Sequence, residues 1–138
     1  MPSLFASEHP AIALLALFVL TSSPAMAQDE ITFTAEQVAA GRSTYRELCQ
    51  TCHGPSLSDG QFGTPLRGSY FRNNWAGKSL GELMQYVYEK MPPESPQTLS
   101  GEQIATLLSW ILSRNSLSAG ETAMSGDING QNSVMLPW

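Results

Sequence analysis

Cys49-Gln50-Thr51-Cys52-His53 is the stretch whose residue types and spacing carry chemistry. Two thiols with two residues between them, and an imidazole directly after the second, match the attachment signal for a c-type haem. Each thiol can add to a vinyl group of the porphyrin, and the adjacent imidazole can reach the iron from one face. Two other uses of the same cysteines compete. A disulfide suits an exported chain, but it would close a tiny loop that constrains little of the unfolded chain, and it leaves His53 unexplained. A thiol-disulfide oxidoreductase also uses this spacing, usually on a strand-helix fold, and no stretch here has a convincing strand pattern.

Haem iron takes an axial residue on each face, and the pair chosen decides what the iron can do. The chain has two histidines, and His9 lies in an N-terminal segment read below as a removed signal. Bis-histidine ligation within one chain is thereby excluded. The second ligand is a methionine, something weaker, or nothing. Met91 is the best-placed candidate, at an expected helix end followed by Pro92 and Pro93, which limit backbone freedom. Met84 falls on the apolar side of its helix and reads as core packing. Met124 and Met135 reach the iron only if the C-terminal tail wraps over the haem edge. A thioether is soft and neutral, favours ferrous iron, and raises the potential relative to a second imidazole. With both faces filled, oxygen or peroxide has no free site. That combination makes an electron carrier and not an enzyme. An open sixth position would instead make a haem enzyme or ligand sensor.

Three helices must position these residues. Thr34-Ala35-Glu36-Gln37, Ser79-Leu80-Gly81-Glu82 and Ser100-Gly101-Glu102-Gln103 are capping-box patterns, each a helix start. The first helix carries Val38, Gly41, Tyr45 and Leu48 on one face. Gly41 costs roughly 1 kcal/mol relative to Ala in a helix interior, so either another backbone crosses there or the glycine is a tolerated accident. The second helix has Leu80, Leu83, Met84, Val87 and Tyr88 as its apolar side and stops near Met91, since the residue before a proline avoids helical angles. The third runs to about Asn115 with Ile104, Leu107, Leu108, Ile111 and Leu112 as its buried stripe. Residues 28–33 read as a polar lead and 56–70 as loop, with a short helical turn within 71–77. Residues 116–138 show no period and are expected as a flexible tail, with an apolar end, Val134 to Trp138, able to lie against the domain.

Residues 1–27 resemble a secretory signal. Ala11 to Leu20 is an unbroken apolar run, and Ala25-Met26-Ala27 places the cut before Gln28. An uncleaved anchor is the competing reading, but the run is well short of the ~20 residues a span needs. The chain has 138 residues and a formal charge of −5, and all seven of its Lys and Arg lie after residue 27. Residues 28–115 make one small domain with a thin core. A covalently held haem would complete that core, so the apo-protein is expected to be largely unfolded by circular dichroism. The acidic balance disfavours nucleic acid or an anionic membrane surface as partner and suits a partner with a basic patch.

From about Ala35 to Asn115 the chain resembles the class I cytochromes c. The resemblance is carried by Cys49–His53, by Gly41 and Tyr45 ahead of it, by Leu107 and Trp110 on the last helix, by Pro65, and by Met91-Pro92. It implies an all-α cytochrome c fold in which the N- and C-terminal helices cross, the third helix leads to the distal Met91, and loops wrap one covalent haem c. It implies that Cys49 and Cys52 hold the haem and that His53 and Met91 ligate iron. It also implies that the carbonyl of Pro65 accepts the second N–H of His53, which fixes the ring. A weaker resemblance, in Phe71 to Trp75, Tyr86 to Pro92 and the Gly-rich tail, is to periplasmic cytochromes found beside quinoprotein dehydrogenases. In such relatives an aromatic near Trp75 lies by a haem propionate; ordinary packing under a loop is the alternative. The implied function is a periplasmic respiratory electron carrier between a dehydrogenase and a terminal oxidase, with no stable membrane insertion. A fixed haem subunit of a larger complex, anchored by the tail, is the alternative.

Overall fold

The computed structural model describes residues 30–138, so the signal assigned to residues 1–27 lies outside the described residues. Five helices follow one another: α1 (Ala35–Leu48), α2 (Gln50–His53), α3 (Gly68–Trp75), α4 (Leu80–Lys90) and α5 (Gly101–Ser113). All three capping boxes form. Thr34, Ser79 and Ser100 accept the N–H of Gln37, Glu82 and Gln103, whose side chains bond back to the cap residue's own N–H. Each pair satisfies two of the donors that a helix start leaves open. Among the described residues no strand forms, only an isolated bridge between Ser79 and Met135. The fold is all-α, as expected.

The frame is the crossing of α1 over α5. At the crossing Gly41 is buried, and a Cβ there would run into the carbonyl oxygen of Thr106 and stand 3.1 Å from Trp110 Cβ. The glycine is where two backbones touch. Around it α5 buries Ile104, Leu107, Leu108, Ile111 and Leu112, each worth about 1.5–3 kcal/mol when fully removed from water. Tyr45, one turn after Gly41, is buried, and its hydroxyl donates to Gly54 O at 2.6 Å. That bond fixes the end of α1 to the residue following the Cys49–His53 motif.

Three segments differ from their expectation. α3 starts at Gly68, inside the stretch read as loop, and runs for eight residues where a short turn is expected. Phe33, in the lead read as polar, is fully buried, and its carbonyl accepts from Gly120 N at 2.8 Å. Residues 116–138, expected as flexible, are folded back over the domain. The Gln37 amide donates to Met124 O at 2.9 Å and accepts from Met124 N at 2.8 Å. Leu80 N bonds Val134 O at 2.7 Å, and Leu136 N bonds Lys78 O at 2.9 Å. A 3₁₀ turn, Asn129–Ser133, lies on α4 at Gly81, where a Cβ would meet Asn132. The physical reason is local. The extended backbone before α4 has free ladder groups, and Val134 and Leu136 alternate inward with Met135 and Pro137 outward, a period of two too short to stand out in the sequence.

Candidate functional site

The site begins where α1 fails to continue. Cys49 caps α1, with its N–H on Tyr45 O at 2.9 Å, and leads straight into the single turn α2. His53 N returns to Cys49 O at 2.9 Å, so the turn holds both thiols and the imidazole on one short, rigid piece. Cys49 and Cys52 are unpaired and half-buried. Both line a cleft of about 330 Å³ together with His53, Pro65, Trp75 and Met91. Burial, and then the neighbouring Cys52, push the Cys49 thiol up to about 11.

His53 is 8% exposed, and its Nδ1 lies 2.7 Å from the carbonyl oxygen of Thr64. A carbonyl can only accept, so Nδ1 carries a proton, and in the neutral ring Nε2 is the nitrogen with the lone pair. The partner expected from sequence is Pro65. The structure corrects this by one residue, for a steric reason. Gly63 lies so close to the ring that a Cβ there would stand 2.5 Å from His53 Nδ1, and the next carbonyl along, that of Thr64, is the one that reaches it. Pro65 forms cleft wall. The loop is cinched by Gly63 N to Cys52 O at 2.9 Å and Leu66 N to Leu57 O at 2.7 Å. Buried Asn115 braces it from α5's end, donating to Leu66 O at 2.9 Å and Ile111 O at 2.9 Å and accepting from Gly68 N at 3.0 Å.

On the wall of the same cleft, Met91 caps α4 in extended conformation, its N–H on Val87 O at 2.9 Å. Of the four candidate methionines, Met91 is the one on the cleft wall. Met84 is fully buried, Met124 is buried at Gln37, and Met135 is 40% exposed. Trp75 stands at the cleft with its ring 5.5 Å from Tyr86, edge to face, and Lys78 Nζ 5.1 Å above it. It is packed against Tyr86 and also lines the cleft.

The residues fit a covalent haem. The donor set is two free thiols, one imidazole with an oriented Nε2 and one thioether, and most of the remaining wall is apolar, including Leu66, Phe71, Leu83, Leu107 and Leu108. Sequence reasoning misses Thr64, Gly63, Asn115 and Lys78. The glycine is visible only as a loop residue, and a carbonyl or a brace leaves no signal in residue type.

A family model described as cytochrome c oxidase, cbb3-type, subunit III, matches residues 36–111, more than half of the chain. No curated protein matches.

Proposed function

The chain belongs to the c-type cytochrome family described as cytochrome c oxidase, cbb3-type, subunit III, and on that premise we propose that it is a periplasmic single-electron carrier between a dehydrogenase and a terminal acceptor. As a class I cytochrome c it is an electron-transfer haem protein holding haem c covalently. When bound, haem c supplies an iron that takes up and gives back one electron.

In this reading Cys49 and Cys52 would hold the haem by thioether links, and His53, through Nε2, and Met91 would ligate its iron. Thr64 O holds the imidazole ring in place and raises its basicity. Trp75 and Lys78, both on the cleft wall, would offer a hydrogen-bonding and a cationic partner to a carboxylate group of the ligand. The observation that carries the reading is that Met91 shares one cleft with both thiols and an imidazole of defined tautomer. The test is the sulfur-to-iron charge-transfer band of the oxidised protein. It should be present in the wild type and lost in Met91→Ala, and the reduced wild type should not bind carbon monoxide rapidly. Rapid carbon monoxide binding would make the chain a haem enzyme or sensor with an open sixth site.

The family's description supports a second reading, a fixed haem subunit of a larger oxidoreductase complex. The apolar end of the tail is poorly suited to anchor one, since Val134 and Leu136 are spent on the chain's own core. Among the described residues no helix is long and apolar enough to cross a membrane. Gel filtration of the native extract separates the readings: a free carrier elutes as a small protein, a subunit with its complex. A quinoprotein dehydrogenase as donor and an oxidase as acceptor are the partners to try first.

A further inference from the structure

Positive charge is scarce in this chain and unevenly spread. Of its seven Lys and Arg, Arg42, Arg46, Arg67 and Arg114 line one groove of about 550 Å³ beside the α1–α5 crossing. No Asp or Glu lines it, and among the described residues the one ion pair is Lys90 with Glu89, elsewhere. The nearest carboxylate tied to the groove is Asp59, which accepts from the lining Ser56 N at 2.9 Å; one carboxylate against four guanidiniums leaves the groove electropositive and suited to an anionic occupant. Trp110 forms part of the groove. Arg42 and Arg114 stand over its ring at 5.7 and 5.3 Å, and its indole N–H is buried without a partner. Gln50, between the two cysteines, also lines it, so the groove borders the haem-binding turn.

We propose that this arginine groove is the docking site for an acidic segment of the redox partner, a stretch of several carboxylates. A single small anion would use one or two guanidiniums. Four, contributed by α1, by the loop before α3 and by the end of α5, suit a chain laid along the groove, with Arg forks engaging carboxylates two bonds at a time. The rest of the surface carries the acidic excess, so an acidic partner is repelled from other faces and steered to this one. The expectation of a partner with a basic patch reflects net charge alone, and the structure reverses it locally. The inference rests on the electron-carrier reading for the identity of the partner, but its test reads binding and not electron transfer, so the two can fail separately.

The test titrates hexaglutamate into the isotope-labelled holoprotein at low ionic strength and follows amide and indole N–H resonances. Saturable shifts are expected at Arg42, Arg46, Gln50, Leu57 and the Trp110 indole, fading as ionic strength rises to ~0.5 M. Arg46→Gln with Arg67→Gln should weaken binding by about tenfold, with the haem spectrum unchanged as the check on folding. Arg72→Gln with Lys90→Gln should leave the affinity within about twofold. The proposal is overturned by absence of saturable shifts, by shifts centred on another face, or by equal affinity in the arginine variant. It is equally overturned if inorganic phosphate at matched concentration reproduces the shifts and displaces the peptide, which would make the groove a small-anion site.

Discussion

Gly41→Ala separates two effects of opposite sign. In an isolated helix the change is favourable by about 1 kcal/mol, because glycine costs more backbone entropy. In this fold the added methyl would fall inside the carbonyl oxygen of Thr106 and press on Trp110 Cβ. The obstacle is backbone at the centre of a helix crossing, so no rotamer change relieves it, and α1 and α5 must part by roughly 1 Å to restore ordinary contact. Overpacking of this kind costs ~1–3 kcal/mol, and the upper end applies because the strain falls on the main interface of the domain. Subtracting the helix gain leaves a net loss of about 2 kcal/mol. Ala40→Gly, on the exposed side of the same helix, isolates the propensity effect and should cost about 1 kcal/mol. Urea denaturation of the oxidised holoproteins, followed by helical circular dichroism, measures both. A Gly41→Ala protein as stable as wild type, or more stable, would refute the claim that close backbone approach selects this glycine.

Asn115→Ala removes the partner of Gly68 N and Leu66 O and should lower stability by about 2 kcal/mol, two half-buried groups at the low end of the usual cost; urea titration reads it. Tyr45 is held well above the ordinary tyrosine range, first by burial and also by the Asp59 charge; the Cys49 thiolate adds to this only while Cys49 is a free thiol. The unfolded chain therefore ionises this residue near pH ~10 while the folded protein keeps it protonated. Its contribution is fully present below that pH and is lost as pH rises beyond it, by up to about 1.4 kcal/mol per unit. Tyr45→Phe should remove that part of the slope in urea midpoints measured between pH ~9 and ~11. The packed tail should resist limited proteolysis: subtilisin acting on the holoprotein should not trim residues 116–138 ahead of global unfolding, and early loss of that segment would contradict the burial of Met124, Val134 and Leu136.

Much of this molecule is legible in its amino-acid sequence, because its strongest signals are local. A capping box is a side-chain pattern within four residues, and all three expected from sequence form. The helical period of α5 names its buried stripe correctly. The Cys49–His53 spacing is itself the chemistry of haem attachment, and the scarcity of histidine narrows the second ligand to a few candidates. What stays hidden depends on backbone atoms and on distant partners. The carbonyl facing His53 belongs to Thr64, not Pro65, and any residue type offers a carbonyl. Asn115 reads as a helix end and serves as a brace because Leu66 and Gly68 come to it from far along the chain. The tail lacks a period and so reads as loose, yet it is held by backbone bonds to residues 78 and 80.

The chain's residue types and local spacing therefore determined the three capped helices, the Cys49–His53 spacing that points to haem and the shortlist of ligands, since each is set within one or two helical turns. Tertiary structure decided which methionine shares the cleft with His53, why residue 41 must be glycine, and where the few arginines gather. Those are questions of which backbone passes which, and net charge or periodicity averages them away. The Cys49–His53 spacing points to haem attachment; the crossing helices and the braced loop decide how its imidazole is held.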